Sequence, residues 1–344
     1  MDVTLIATKG TTGIHMLGNH LTHMLPRVDA SVRVFQTEPQ PLIHTPSTTL
    51  NQLLSCVRTP ADVYHFTAPE FCTWDVGRKP SIVTIHDLWH LTQLSSFSHN
   101  PAVKISVLAQ AMQYLRYRWV RKAHHIHAIS NTTKQNIIRS LHIPEKRISV
   151  IYHGVDHAIF RPTKNPRPEN TVLYVGSETP RKNLHTLLEA LALVKQEISD
   201  VTLIKAGQEH WHGAREKLVA HIRQLKLENN VVFTNYAPQV YQNATAFILP
   251  SLLEGFGLPL LEAMASGTPC IASNTSSLPE VGGDAVAYCD PHDVKNIAQQ
   301  IISVLQNKQF QNKLARKGQK QSLQFTWERT AGEVLRLYET VRHE

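Results

Sequence analysis

The chain reads as two doubly wound α/β domains, each a parallel sheet covered by helices on both faces. Three observations point there. Short β-rich runs alternate with helix-length stretches along the chain, and crossovers of that length join parallel strands. The runs fall into two series separated by a proline-rich, charged segment. With 344 residues, 42% hydrophobic and 18% charged, the chain has the size and composition of about two ordinary soluble domains.

The first series is VTLIAT (3–8), SVRVF (31–35), DVYHF (62–66), SIVTIHD (81–87), HIHAIS (125–130) and ISVIYHG (148–154). After its first run, KGTTGIHMLGNHL (9–21) offers Gly10 and Gly13, where backbone without Cβ atoms permits close approach of a ligand. The spacing is not GxGxxG, so a dinucleotide fingerprint is absent. The fourth run ends in His86 and Asp87, at the sheet end where ligands of such folds bind, and a histidine there suits either a hydrogen bond to a sugar or acceptor hydroxyl or structural service alone. A helix expected from Pro101 ends in the basic RYRWVRK (116–122).

That helix carries much of an uneven charge. Of the net +8, residues 1–160 hold 15 Lys+Arg against 9 Asp+Glu, whereas residues 161–344 hold 20 against 18. A basic first half suits either a solvated helix face or peripheral contact with an anionic acceptor or membrane surface. No nucleic-acid-binding motif accompanies the charge, so nucleic acid is not an expected partner.

The segment FRPTKNPRPEN (160–170) reads as a linker at 161–170, giving a first domain at 1–160 and a second at 171–324. The second series is TVLYVGS (171–177), VTLIKAG (201–207), VVFTNY (231–236), AFILPS (246–251) and PCIASN (269–274). After its first strand comes GSETPRKNLHTLLEA (176–190), in which Asn183 or a neighbour is expected to start a helix with Arg181 and Lys182 in its first turn. Cations at a helix N-terminus oppose the helix dipole, a placement that makes sense when an anion sits between them. The last segment, 325–344, sets Trp327, Val334, Leu337 and Tyr338 near one helical face, and packing across the first domain is one way to bury that stripe.

The most informative stretch is PSLLEGFGLPLLEAMASGTP (250–269). Pro259 suits the first turn of a helix predicted from Leu258 to Ser266, with Gly255 and Gly257 just before it. Bare backbone leading into the positive end of a helix suits an anion such as a diphosphate. Two carboxylates beside it, Glu254 on the loop and Glu262 inside the helix, would repel phosphate but accept hydrogen bonds from hydroxyls. Sugar and phosphate together make a nucleotide sugar.

Other chemistries find less support. Cys56, Cys72, Cys270 and Cys289 lack paired spacing and read as reduced thiols. His86 with His90 and His153 with His157 stand four apart, but His86 and His153 end strands, so that spacing need not join the rings, and no metal is expected. No Asp-x-Asp occurs, which leaves Arg181, Lys182 and helix-terminal N–H groups to stabilise a leaving diphosphate without a carboxylate-held metal or other cofactor. Short apolar stretches and an N-terminus unlike a secretory signal place the expected location in the cytoplasm.

EGFGLPLLE, EAMASGTP, SSLPEVGGDA, GSETPRKNL, VTIHDL, AISNTTKQNI, IYHGVD and FTWERTA together resemble the retaining glycosyltransferases of family 4. The resemblance covers nearly the whole chain and is most specific from 171 to 293. It implies the GT-B fold, two Rossmann-like domains facing an interdomain cleft, with a C-terminal helix returning to the first. By the same resemblance Glu254 contacts the transferred sugar, Glu262 binds the ribose, and the backbone from Gly255 through Phe256 and Gly257 to Leu258 approaches sugar and phosphate. Arg181 and Lys182 hold the diphosphate, Asn235 and Tyr236 lie near the base, and the Gly13 loop and His86 complete the donor site. Three departures stand out: Ser177 where many members carry arginine, Asn235 before Tyr236 where glycine is usual, and His153 where asparagine is common.

The implied reaction is hexosyl transfer from a GDP- or UDP-sugar to a sugar or lipid-linked acceptor in polysaccharide, glycolipid or other glycoconjugate synthesis, with retention, GDP-mannose being the preferred donor. Glu254, His86, Lys182 and Arg181 are the candidate catalytic residues. A nucleotide-sugar epimerase, a sugar phosphorylase and a non-catalytic sugar-nucleotide-binding subunit are alternatives on the same fold.

Overall fold

The computed structural model describes residues 1–7, 13–29, 31–37, 60–69, 79–89, 117–209 and 213–343. Gly10, Cys56, Cys72, His90 and residues 101–116, where a helix is expected from the sequence, lie outside them. The chain forms two compact units, Met1–Gly154 with Trp327–Glu344, and Val155–Thr326. The division falls at Val155 rather than within 161–170. Arg167, in the expected linker, explains why: its guanidinium donates to the carbonyls of Tyr241, Ala244 and Ser266 and to Thr268 Oγ1, so that segment is tied into the second unit.

In the first unit, β1 (Asp2–Ile6), β2 (Arg33–Thr37), β3 (Val63–Phe66), β4 (Ser81–Ile85), β5 (His125–Ala128) and β6 (Ile148–Val150) form one parallel sheet in the order β2-β1-β3-β4-β5-β6. Every residue of β3, β4 and β5 is buried, as in a parallel sheet covered on both faces, although β3 (VYHF) and β5 (HIHA) carry histidines among their apolar residues. Helices α1 (Gly13–Val28) and α2 (Asn131–Leu141) flank it, α2 being capped by Ser130, whose hydroxyl accepts from Thr133 N–H. Residues 117–120 are helical; Tyr117 and Val120 are buried while Arg118, Arg121 and Lys122 face solvent, so the described part of the basic run is a solvated face.

The C-terminal helix of the chain belongs to this unit, and its Trp327, Ala331, Val334, Leu337, Tyr338 and Val341 pack with Leu17, Leu21 and Leu25 of α1. Burying each large apolar side chain of that stripe contributes about 1.5–3 kcal/mol. Deeper still, a buried polar chain crosses the sheet. Tyr338 OH meets His65 Nδ1 at 2.7 Å, His65 Nε2 meets Thr84 Oγ1 at 2.7 Å, Thr84 Oγ1 meets His127 Nδ1 at 2.9 Å, and His127 Nε2 reaches Ile151 O at 2.9 Å. The carbonyl can only accept, so His127 donates from Nε2, Thr84 donates to His127, His65 donates to Thr84, and Tyr338 donates to His65. These directions hold for neutral imidazoles, the form that burial favours by holding each ring below its ordinary pKa, His127 at about 4.

The second unit repeats the plan with β7 (Thr171–Val175), β8 (Thr202–Ala206), β9 (Val231–Thr234), β10 (Ala246–Leu249), β11 (Cys270–Ser273) and β12 (Ala287–Cys289), all parallel in the order β12-β11-β10-β7-β8-β9. β12 is absent from the sequence reading because its three residues are too short to stand out. Its helices are α3 (Leu184–Glu197), α4 (Ala214–Gln224), α5 (Leu258–Ala265), α6 (Leu278–Gly282), α7 (Val294–Gln306) and α8 (Lys308–Ser322); the C-terminal helix Trp327–Arg342 is α9. Asp293 and Asn307 cap α7 and α8 through their side chains. Chain order reverses between β7 and β10, and the crevice beyond the carboxyl ends of such a pair is where ligands bind in open α/β sheets.

Candidate functional site

The two loops that leave β7 and β10 meet at this reversal. The β7 loop runs through Gly176 and Ser177 into a 3-10 turn, Pro180–Lys182, and Asn183 then adopts a left-handed conformation (φ 59°) before α3 begins at Leu184. Arg181 and Lys182 therefore precede the helix instead of occupying its first turn. Asn183 makes the break affordable through its amide, which donates to Pro250 O at 3.0 Å and Pro291 O at 2.7 Å, while its Oδ1 accepts from Thr186. Leu252 N–H donating to Arg181 O at 2.8 Å ties the two loops together.

On the β10 loop, Glu254 is buried, and its Oε1 accepts from Lys182 Nζ at 2.5 Å and from Ser251 Oγ at 2.7 Å. Arg181 Nη1 stands 3.4 Å from Oε2 and donates to Leu253 O at 3.1 Å. Ser276, itself left-handed at φ 60°, accepts from Glu254 N–H and donates back to its carbonyl, and Ser277 donates to the same carbonyl. Burial pushes the Glu254 pKa up, but the charges of Lys182 and Arg181 outweigh it and hold the carboxyl below its ordinary value. Lys182 and Arg181 thus both face the one carboxylate of Glu254.

Gly257 caps α5 at φ 105°, and a Cβ there would stand 2.7 Å from Leu278 Cδ2, so the turn into the helix accepts glycine alone without strain. Gly255, Phe256 and Gly257 are buried and Leu258 is half-buried. The helix ends at Ala265, with Ser266 as its cap, one residue short of the sequence reading. Glu262 lies on this otherwise apolar, buried helix, and its Oε2 accepts from Tyr241 OH at 2.5 Å and Tyr236 OH at 3.0 Å. Asn235 and Tyr236 are exposed beyond β9. Burial raises Glu262 to about 7 against the lowering pull of the two hydroxyls.

Ser177, half-buried in the β7 loop, gives its carbonyl to Tyr174 OH at 3.1 Å. In the other unit, His86 follows β4, and its Nε2 pairs with Thr67 O at 2.8 Å while its ring stacks on His153 at 5.4 Å. Gly13 begins α1. Among the described residues no group of three or more His, Cys, Asp or Glu could hold a metal ion, and no helix is long and apolar enough to cross a membrane. Cys270 and Cys289 are free and buried.

Sequence reasoning missed Tyr241 and Ser251, which nothing in the residue pattern marks. It also missed a buried triad beside the β7 loop, in which Glu178 Oε1 accepts from Lys205 Nζ at 2.8 Å and Arg215 at 2.5 Å. A signal existed here: Lys205 interrupts the apolar strand run VTLIKAG, and a lysine buried in a central strand requires a buried counter-charge.

Two family models divide the chain. Residues 2–159 match Glycosyltransferase Family 4 and residues 155–321 match Glycosyl transferases group 1. The O-antigen chain mannosyltransferase B of Escherichia coli is 36% identical over 177 residues, 48% of this chain and 45% of that protein. The serotype-specific mannosyltransferase WbdA of Escherichia coli is 28% identical over 73% of this chain and 32% of its own length. The chain thus spans about half the length, or less, of these curated relatives. Sucrose-phosphate synthase from Thermosynechococcus elongatus superimposes with a TM-score of 0.80 at 19% identity, covering 99% of this chain and 98% of that one, a likeness of fold alone.

Proposed function

The chain belongs to the glycosyltransferases of family 4, and on that premise we propose that it moves a hexosyl group from a nucleotide-diphosphate sugar to an acceptor hydroxyl, with mannose from GDP-mannose as the preferred donor. The mannosyltransferase names of the relatives support the choice of sugar. One observation carries the reading of the site: Lys182, Arg181 and Glu254 form a single charge cluster where the β7 and β10 loops meet.

Such a cluster suits a ligand that brings both anion and hydroxyls. A donor diphosphate offers Lys182 and Arg181 new oxygens, while sugar hydroxyls take the place of the ammonium on Glu254, so no buried charge is left alone during the exchange. Glu262 receives ribose hydroxyls, Asn235 and Tyr236 flank the base, and the Gly255–Leu258 backbone approaches sugar and phosphate at the start of α5. Ser177 leaves the phosphate load to Arg181 and Lys182.

In the transfer step the bond from the anomeric carbon to the diphosphate oxygen breaks and a bond from that carbon to the acceptor oxygen forms on the same face. The departing phosphate oxygen takes the acceptor's proton, and the cations stabilise the charge that develops on the leaving group. No resident metal or cofactor is assigned to the reaction. An acceptor that is sugar or lipid-linked suits a role in glycoconjugate synthesis.

The test is a thermal-shift panel of UDP-, GDP-, ADP- and dTDP-sugars, followed by nuclear magnetic resonance of the stabilising donor during turnover. A ligand bound by the native state raises stability by mass action. Stabilisation by one donor and its conversion to nucleoside diphosphate support the proposal; silence toward every donor would overturn it, and isomerised donor would point to an epimerase.

A further inference from the structure

Glu262 occupies a setting that sugar recognition alone does not explain. It is 5% exposed on a helix whose other buried positions, Leu260, Leu261, Ala263, Met264 and Ala265, are apolar. Its carboxyl makes no ion pair among the described residues, and both of its hydroxyl donors converge on Oε2. Tyr241 donates at 2.5 Å from a fully buried ring wedged between Phe247 at 5.7 Å and Phe160 at 5.9 Å, so its hydroxyl has little freedom. Tyr236, 42% exposed, donates at 3.0 Å.

The remaining titratable or charged groups around α5 are few. β11 brings Cys270, whose thiol burial keeps protonated, and Arg167 beside it donates to carbonyls and Thr268. α6 carries Glu280, and α8 carries Lys308, Lys313, Arg316, Lys317 and Lys320, of which Lys317 is paired with Asp284. β10 contributes none. The tyrosine hydroxyls are accordingly the groups that hold the carboxyl.

We propose that Tyr241 is a positioning residue: with Tyr236 it fixes the plane of Glu262, turning Oε1 to a ligand hydroxyl, and sets the pH range over which nucleotide capture occurs. The inference rests on the donor-site reading of Glu262. Only the ionised carboxyl is a pure acceptor for ribose hydroxyls, and hydrogen bonds from tyrosine favour that form. Burial lifts Glu262 to about 7 even with both hydroxyls pulling it down, so removal of one hydroxyl lifts it further.

Binding of GDP and of UDP to the full-length protein by isothermal titration calorimetry across the neutral range tests this, with Tyr241→Phe, Tyr236→Phe and Glu262→Gln as variants. Affinity in the wild type rises with pH through Glu262 ionisation. In Tyr241→Phe the midpoint moves up by about one pH unit, the size of one charge-assisted hydrogen bond, which weakens binding about fivefold near pH 7 and leaves near parity at about pH 9. Tyr236→Phe, on an exposed ring, shows the same shift at smaller amplitude, and Glu262→Gln loses the pH dependence. An infrared titration of the carboxyl band, taken as wild type minus Glu262→Gln, reads the same midpoint without nucleotide. Failure of both nucleotides to bind the wild type would overturn the donor-site reading and the inference with it. Binding that Tyr241→Phe weakens evenly at all pH, with an unmoved carboxyl midpoint, would overturn the positioning role alone.

Discussion

Replacing Lys182 with methionine removes the ammonium 2.5 Å from Glu254 and leaves a carboxylate, 7% exposed, facing Arg181 at 3.4 Å and Ser251 at 2.7 Å. Breaking one side of a buried ion pair costs about 3–5 kcal/mol; the two partners that stay behind place Lys182→Met near the lower end. Glu254→Gln takes the carboxylate from Lys182 and Arg181 instead, at a similar cost. In the double variant neither charge is left unpaired, so its loss falls short of the sum of the singles by about 2 kcal/mol. Native-state hydrogen exchange of the α3 amides (Leu184–Glu197) measures this within the second unit without requiring the whole chain to unfold in one step. Transfer activity stays lost in the double variant, because restored packing does not restore the donor contacts. Single losses below about 1 kcal/mol that add in the double would refute the reasoning, showing the pair to be open to water.

Acid should act on the other unit. His65 and His127 are neutral in the fold and held below 6.5, so the unfolded chain takes up protons first as pH falls. Stability is full above 6.5 and is lost toward about 4, where His127 itself protonates, an interval worth about 3 kcal/mol from that residue. Hydrogen exchange of the α9 amides, which report on this unit, should show this decline; a flat profile would contradict it. Gly257→Ala places a side chain at φ 105° with its Cβ 2.7 Å from Leu278 Cδ2, and costs about 1–3 kcal/mol together with weaker nucleotide binding, read by thermal shift with and without nucleotide. Lys205→Met leaves Glu178 with Arg215 as its one remaining cation among the described residues and should destabilise by about 3 kcal/mol, with Glu178→Gln in the same chain recovering part of it by the exchange measurement on the α3 amides.

Both sheets were legible because β-branched runs such as TVLYV and SIVTI are dense, short and separated by helix-length crossovers. Strand ends were less so: SIVTIHD continues past β4, yet the ladder stops at Ile85 because His86 turns to pair with Thr67 O. Glu254, Glu262, Arg181 and Lys182 could be picked out by type and spacing. Their pairing could not, since the sequence separation of 72 from Lys182 to Glu254 is closed only by the tertiary fold. Glycine at 257 announced a turn, whereas Tyr241 looks like any core aromatic until its hydroxyl is seen against Glu262. Local pattern carries propensity and charge; partner choice is made by contacts distant in sequence.

The most direct measurement follows the anomeric proton of the donor by nuclear magnetic resonance for wild type, Lys182→Ala and Glu254→Ala, with fold checked by circular dichroism. Loss of two charge-assisted contacts on the reacting group predicts turnover in the wild type and a fall of about a hundredfold or more in each variant. Folded variants that turn the donor over at near wild-type rates would contradict the assignment of the β7–β10 cluster as the place where the sugar is transferred.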